Sequence, residues 1–231
     1  MTADQAAAAA KVPGQQPDRT IRTMLDAVNL PALEAHAGEA QALAGYVNGR
    51  WPTFPALVSK YGKTGKYLLS IDVQGNPALG AQALDVESGD ATIAQAPGWT
   101  KETQAEGKKA RDGRWFPKLY SSISGGNALI AALAAAGIRR DEYMYWSAHY
   151  TPGYPHICGP STCRQGPQAD ATQWTDAFDG GPVDGSQCFA YFFSGPPALI
   201  PEVRCPAGQW TALPGKIVQP ASHDVVLRVR S

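Results

Sequence analysis

Asp85 and Glu87 stand on either side of Val86 in the run ALDVES. In an extended chain, residues i and i+2 point to the same side, with their backbones about 6.6 Å apart along the strand. Two carboxylates held this way lie near the few-ångström separation at which glycosidases work. Crowding drives their pKa values apart, leaving one group protonated as an acid and the other ionised. Cleavage of a glycosidic bond needs both. The same tripeptide also suits a solvated loop start, a metal-ligand pair or a helix cap. Its meaning therefore depends on the elements that carry it and on the other acids, Asp26, Asp72 and Asp184, which also fall near apolar runs.

Those elements alternate. Strand-like apolar runs cover residues 22–28, 42–48, 66–73, 81–87 and 115–121, and helical stretches follow Pro31 and cover 56–61, 100–112 and 127–136. Three further strands, 142–149, 169–175 and 187–193, have no clear helix between them. Strand–helix alternation means parallel strands joined by right-handed crossovers. Eight strands in a chain of 231 residues suit a closed barrel better than an open sheet. A doubly wound sheet is the competitor, but its glycine-rich phosphate turn is missing. The expected fold is thus α/β, an irregular TIM-like (β/α)5β3 barrel over 21–194. A flexible arm over 1–20 precedes it, and a Pro-rich extension over 195–231 follows, with a strand candidate at 225–230. In a barrel, function sits at the C-terminal strand ends, which is where Asp26, Asp72, Asp85 and Glu87 fall.

The stretch ALDVES, with LDAVN upstream and QWT followed by VDGSQ downstream, resembles the glycoside hydrolase family 25 lysozymes and their glycoside-hydrolase-like relatives in phage and actinobacteria. The order and spacing hold from about residue 22 to 193, most of the chain. The resemblance implies a barrel of five β/α units and then three strands, the pattern reached above from the elements alone. It implies Glu87 as general acid, Asp85 as its partner carboxylate, and Asp26 and Asp184 as cleft-lining acids that tune the charge. The implied reaction is hydrolysis of the bond after N-acetylmuramic acid in peptidoglycan. The carboxylates would stabilise positive charge developing on the sugar ring, and the substrate's own N-acetyl oxygen can serve as nucleophile.

Three features depart from that pattern. The third strand, LLSIDVQG, places Asp72 where the family has an aromatic–His pair. The first strand reads LDAVN instead of Asp-Val-Ser, and a cysteine-bearing loop spans 151–166. They favour a second reading, a weakly active or inactive glycan-binding structural protein of a phage virion, whose partners would include other virion proteins. Sugar contacts at the cleft are expected from Asp72, Tyr120, Trp146, Gln173 and Trp174, because aromatic rings at a cleft rim stack on sugars. His149 reads as a loop histidine, His36 as a surface one, and the charge run 139–142 as a solvated turn.

Four cysteines, Cys158, Cys163, Cys188 and Cys205, have loop-like spacings. Two disulfides are expected, 158–163 and 188–205 being the simplest of three pairings; four buried free thiols are the alternative. Disulfides would place the protein in an oxidising compartment, outside a cell or on a released particle. No CxxC and no Cys/His set with zinc spacing appears, so neither metal nor cofactor is expected. With 20 basic and 20 acidic residues, the chain lacks the basic face of a nucleic-acid binder. Its longest apolar run, 128–138, is about half what a membrane-spanning helix needs. The alanine run at 6–10 lacks a basic lead and is a poor signal peptide. The expected partner is peptidoglycan or another cell-surface glycan.

Overall fold

The computed structural model describes residues 18–110, 116–151 and 153–194, and the backbone of four short strands at 202–205, 212–213, 216–217 and 225–228. The chain divides into one unit ending at Pro197 and a second, Ala198–Ser231. In the first unit, eight strands close a barrel in sequence order. They are β1 (Ile21–Asp26), β2 (Ala42–Tyr46), β3 (Tyr67–Asp72), β4 (Ala83–Asp85), β5 (Lys118–Ser122), β6 (Met144–Ala148), β7 (Ala171–Thr175) and β8 (Asp184–Phe189). Neighbours from β1 to β7 run parallel. The last strand, β8, runs antiparallel to both β7 and β1 and closes the ring. Four helices make the early crossovers, α1 (Leu30–His36), α2 (Phe54–Tyr61), α3 (Ala96–Ala110) and α4 (Ile123–Ala135). The expected α/β barrel is therefore the fold. Among the described residues, no helix is long and apolar enough to cross a membrane.

Alternation along each strand sorts the side chains. Met24, Ala42, Ala44, Leu69, Ile71, Ala83, Tyr120, Met144, Trp146, Ala171 and Cys188 fill the barrel interior. The intervening residues Leu25, Leu43, Leu84, Leu119 and Tyr145 pack outward beneath the helices. Apolar burial on both faces of a parallel strand is what makes such strands read as continuous apolar runs. A short helix, α5 (Tyr191–Ser194), follows β8 and places Phe192 and Phe193 in the interior cluster. Their rings lie 6.3 Å from Trp146 and 4.7 Å from Tyr67.

Helix starts follow their caps. Asn29 Oδ1 accepts the Ala32 amide ahead of α1, which carries Pro31 in its first turn, and Ser122 Oγ accepts the Gly125 amide at the start of α4. Both satisfy amides that the helix itself leaves orphaned. Helix α4 approaches β6 closely at Gly126, where an added Cβ would lie 2.1 Å from the Tyr145 hydroxyl oxygen and 2.7 Å from its ring carbon. Gly126→Ala is therefore expected to destabilise the barrel by about 1–3 kcal/mol, the usual cost of overpacking, measured as a fall in the urea midpoint.

Several expected boundaries move. The fourth strand ends at Asp85, so Glu87 lies in the turn beyond it. The third helix starts at Ala96 instead of residue 100, after a turn in which Gln95 Oε1 accepts from the Thr92 amide and hydroxyl. The eighth strand occupies Asp184–Phe189, because the aromatics placed in it at 191–193 form α5. Asp18 and Thr20, assigned to the arm, offer their carbonyls to the Tyr191 and Ala190 amides; residues 1–17 lie outside the described residues. In the second unit, Glu202–Cys205 pairs antiparallel with Val225–Arg228, and Ala212–Leu213 with Lys216–Ile217.

The expected disulfides are corrected: Cys158, Cys163 and Cys188 are free thiols. Cys188 faces the barrel interior on β8 and is fully buried. The Cys158 sulfur lies 3.3 Å from both His149 Nδ1 and His156 Nε2. The side chain of Cys205 lies outside the described residues. With the disulfides goes the argument from them for an oxidising compartment. The charge run is corrected in part: Arg139 is exposed, but Arg140 reaches back to Asp170 at 2.7 Å and to the Gln168 and Tyr143 carbonyls.

Candidate active site

At the C-terminal mouth of the barrel lies a cavity of about 600 Å³, within the range of ligand pockets. Four acids from the sequence reading line it together: Asp26, Asp85, Glu87 and Asp184. Each arrives by the same route. Asp26 ends β1, and Asp85 ends β4 with Glu87 two residues on. Asp184 opens the antiparallel β8, whose register sets it opposite Asp26. Reversal of β8 thus brings a strand's beginning to the mouth where the parallel strands have their ends.

The acids differ in exposure. Asp26 and Asp85 are buried, Asp184 is partly buried and Glu87 is exposed to the cavity. Tyr46 donates its hydroxyl to Asp26 Oδ1 at 3.1 Å. Among the described residues, Asp85 Oδ1 is buried without a hydrogen-bond partner, and so is Asp26 Oδ2 as long as Asp26 and its neighbour Asp184 are both ionised. Asp26 and Asp184 also face each other closely enough to hydrogen-bond once one of them is protonated. Two ionised carboxylates cannot donate, so a shared proton satisfies the contact.

Burial and mutual repulsion move their proton affinities upward. Desolvation, reinforced by the charge of Asp184, holds Asp26 well above the usual carboxylate range, against the hydrogen bond from Tyr46. Asp85 is pushed up to about 8, first by burial and then by the charges of Glu87, Asp90 and Asp184. Asp184 rises to about 6 through burial, opposed by hydrogen bonds with Asp26 and Gln173. Glu87 is raised too, by partial burial and the charge of Asp90. At neutral pH the mouth holds protonated and ionised carboxyls side by side, the distribution that acid-assisted bond cleavage uses.

Comparison with solved structures finds the same kind of scaffold. An uncharacterized B. stearothermophilus protein superposes with a TM-score of 0.53 at 11% identity, over 75% of this chain and 98% of the other. A family GH25 lysozyme from Aspergillus fumigatus superposes with a TM-score of 0.48 at 15% identity, over 73% of this chain and 94% of that one. No known family profile matches the chain, and no curated protein matches it in sequence. The likeness to the B. stearothermophilus protein is one of fold.

Of the expected sugar-contacting residues, Tyr120, Trp146 and Gln173 line the cavity. Tyr120 donates to Gln173 Oε1 at 2.6 Å, and Gln173 Nε2 donates to the Tyr150 hydroxyl at 3.3 Å. The rings of Tyr120 and Trp146 meet edge to face at 4.7 Å. This network fixes one wall.

Two expected residues do not line the cavity. Asp72 is fully buried and accepts four hydrogen bonds, from Asn48 Nδ2, the Gln74 and Gly75 amides and Trp99 Nε1, at 2.7–3.0 Å. Its neighbour Ile71 takes the interior position on β3, so Asp72 points outward to α3. There it organises the loops after β2 and β3; Asn48 Oδ1 in turn accepts the Val73 amide. Trp174 lies likewise one residue out of phase with Gln173, and its ring packs on Phe178 at 6.4 Å.

The reading of the sequence missed Tyr46, Trp51 and Tyr150, all of which line the cavity. Tyr46 continues the interior series Ala42, Ala44, and Tyr150 the series Met144, Trp146, Ala148, so strict alternation would have found both. Trp51 belongs to the loop after β2, is half exposed, and carries the Arg50 guanidinium 4.9 Å over its ring. Next to Tyr150, His149 points the other way, toward His156, Cys158 and Cys163. This grouping of ligand types was not visible in the sequence spacing.

Proposed function

We propose that the protein is a glycoside hydrolase that cleaves peptidoglycan glycan strands at the mouth of its barrel. The observation that carries this reading is the convergence of Asp26, Asp85, Glu87 and Asp184 on one open cavity walled by tyrosine and tryptophan. Glu87 is the exposed member and gives its proton to the glycosidic oxygen as the C1–O bond breaks, the bonding electrons passing to that oxygen. The sugar's acetamido oxygen attacks C1 from the opposite face. Asp85, with its unpartnered oxygen, accepts from the acetamido N–H and stabilises the charge that develops there. Water then opens the cyclic intermediate and returns a proton to Glu87, so the net change is addition of one water across the bond. Trp51 and Tyr150, exposed at the rim, supply stacking faces for neighbouring sugars.

The test is release of new reducing ends from purified Gram-positive cell walls. Wild type is expected to generate them, with a rate that falls on the alkaline side as Glu87, held above the usual carboxylate range by partial burial and the charge of Asp90, gives up its proton. The acids titrate as a coupled group, so the alkaline limb belongs to the cluster and not to one residue. Failure to release reducing ends from any wall tried, with binding to those walls retained, would replace the hydrolase with a glycan-binding module on the same barrel.

A further inference from the structure

The crossover from β6 to β7 differs from the four earlier ones that carry an α-helix. It runs from residue 149 to 170, and its described residues contain no helix. Connections of that length without regular structure are uncommon inside a compact domain and need something to order them. Yet Ile157, Cys158 and Gly159 are buried, and Cys158 packs fully enclosed in the outer apolar layer. The loop takes the place of a helix over the outer face of β6 and β7, where Thr172 Oγ1 accepts the Cys158 amide at 2.8 Å and meets Ser147 Oγ at 2.8 Å.

Four side chains meet at the centre of this loop. His149 Nδ1 and His156 Nε2 are 3.2 Å apart. The Cys158 sulfur lies 3.3 Å from each. With the Cys163 sulfur, all four atoms lie within 4.8 Å of one another. Tetrahedral zinc, with Zn–N near 2.0–2.1 Å and Zn–S near 2.3 Å, places its ligand atoms about 3.3–3.8 Å apart. The backbone is shaped to this end. The Gly159 carbonyl accepts the amides of Thr162 and Arg164, and the Ile157 carbonyl accepts the Thr162 hydroxyl. That knuckle returns Cys163 toward Cys158. The ring of His156 is fixed from behind, with Nδ1 donating to the Tyr154 carbonyl at 3.0 Å. Its Nε2 lone pair is thereby aimed at the centre, the outer hydrogen bond characteristic of metal-ligating histidine. The two imidazoles stand perpendicular at 5.1 Å.

We propose that His149, His156, Cys158 and Cys163 form a structural zinc site that staples the β6–β7 loop to the barrel. Binding releases the thiol protons of Cys158 and Cys163, so two thiolates balance the Zn²⁺ charge and two neutral imidazoles complete the tetrahedron. All four positions are filled by protein, which is the pattern of a structural and not a catalytic zinc. Its functional reach is Tyr150, adjacent to ligand His149 and bonded to Gln173 in the cavity wall. The site stands independently of the hydrolase reading.

The test uses the full chain produced in zinc-supplemented medium and freed of loose metal by gel filtration. About one zinc per chain is expected by elemental analysis. Cys158 and Cys163 should resist thiol reagent until a chelator is added, and chelation should lower the melting temperature by at least about 5 °C. The reduced, metal-free chain should bind one cobalt with intense visible d–d bands and a sulfur-to-metal charge-transfer band. Cys163→Ser should weaken that band. If this variant does not fold, the wild-type cobalt spectrum decides alone. Substoichiometric zinc with no tetrahedral cobalt spectrum would overturn the proposal. So would a Cys158–Cys163 disulfide in the native chain, found by peptide mass mapping.

Discussion

Glu87→Gln should lower the rate of glycan cleavage by at least about 100-fold, the usual contribution of a positioned proton donor, while leaving the melting temperature within a degree or two of wild type. Glutamine preserves the shape of the side chain and can still donate a hydrogen bond from its amide, but it cannot release a proton to a departing oxygen. The stability half of the expectation follows from exposure: Glu87 lies in the turn beyond β4 and faces the cavity. The charge of Glu87 also raises Asp85. Its removal should therefore shift any residual pH profile toward acid, in addition to lowering its height. Reducing-end release measured at several pH values separates the two effects. If the variant clears walls as fast as wild type, Glu87 is not the proton donor, and the acid must be sought in Asp85, the buried member of the pair.

What could be read from the chain divides along a physical line. Alternation of apolar runs with helices set the barrel, because burial on both faces of a parallel strand is a sequence-wide constraint. Asp26, Asp85 and Glu87 were legible because strand ends in a barrel point to one mouth. Position along a strand does not fix the face, however. Asp72 ends β3 just as Asp26 ends β1, but it sits one residue out of phase with Leu69 and Ile71 and so caps loops beside α3. Trp174 fails for the same reason against Gln173. The reverse error hid Tyr46 and Tyr150, which were in phase but had no motif to mark them. Cysteine pairing was the least legible feature. HICGPSTC alone suggests a turn closed by a disulfide, and the nitrogen ligands that change its meaning include His149, seven residues before His156 and brought in only when β6 ends beneath the loop.

Asp85→Asn is expected to move activity and stability in opposite directions. Asp85 is buried, its Oδ1 has no partner, and its proton is held to about 8 by burial and the neighbouring acids. A group that binds its proton more tightly when folded than when unfolded supports the fold fully below its unfolded value. That support declines as pH rises and is lost as pH passes the folded value. For Asp85 the window runs from about 4 to about 8. Wild-type stability should therefore fall across this range, with Asp26 and Asp184, both raised, adding to the slope. Asparagine fits the same space without a charge and removes the contribution of Asp85. The variant should thus gain at least about 1–2 kcal/mol relative to wild type at pH 8 and little at pH 4, an order set by the size of such shifts. Urea denaturation at the two pH values measures both. Hydrolysis should meanwhile drop at least about tenfold, since asparagine cannot become the anion that answers charge developing at the acetamido group. Equal stability changes at both pH values would mean that Asp85 titrates normally and that the cavity does not crowd its charges.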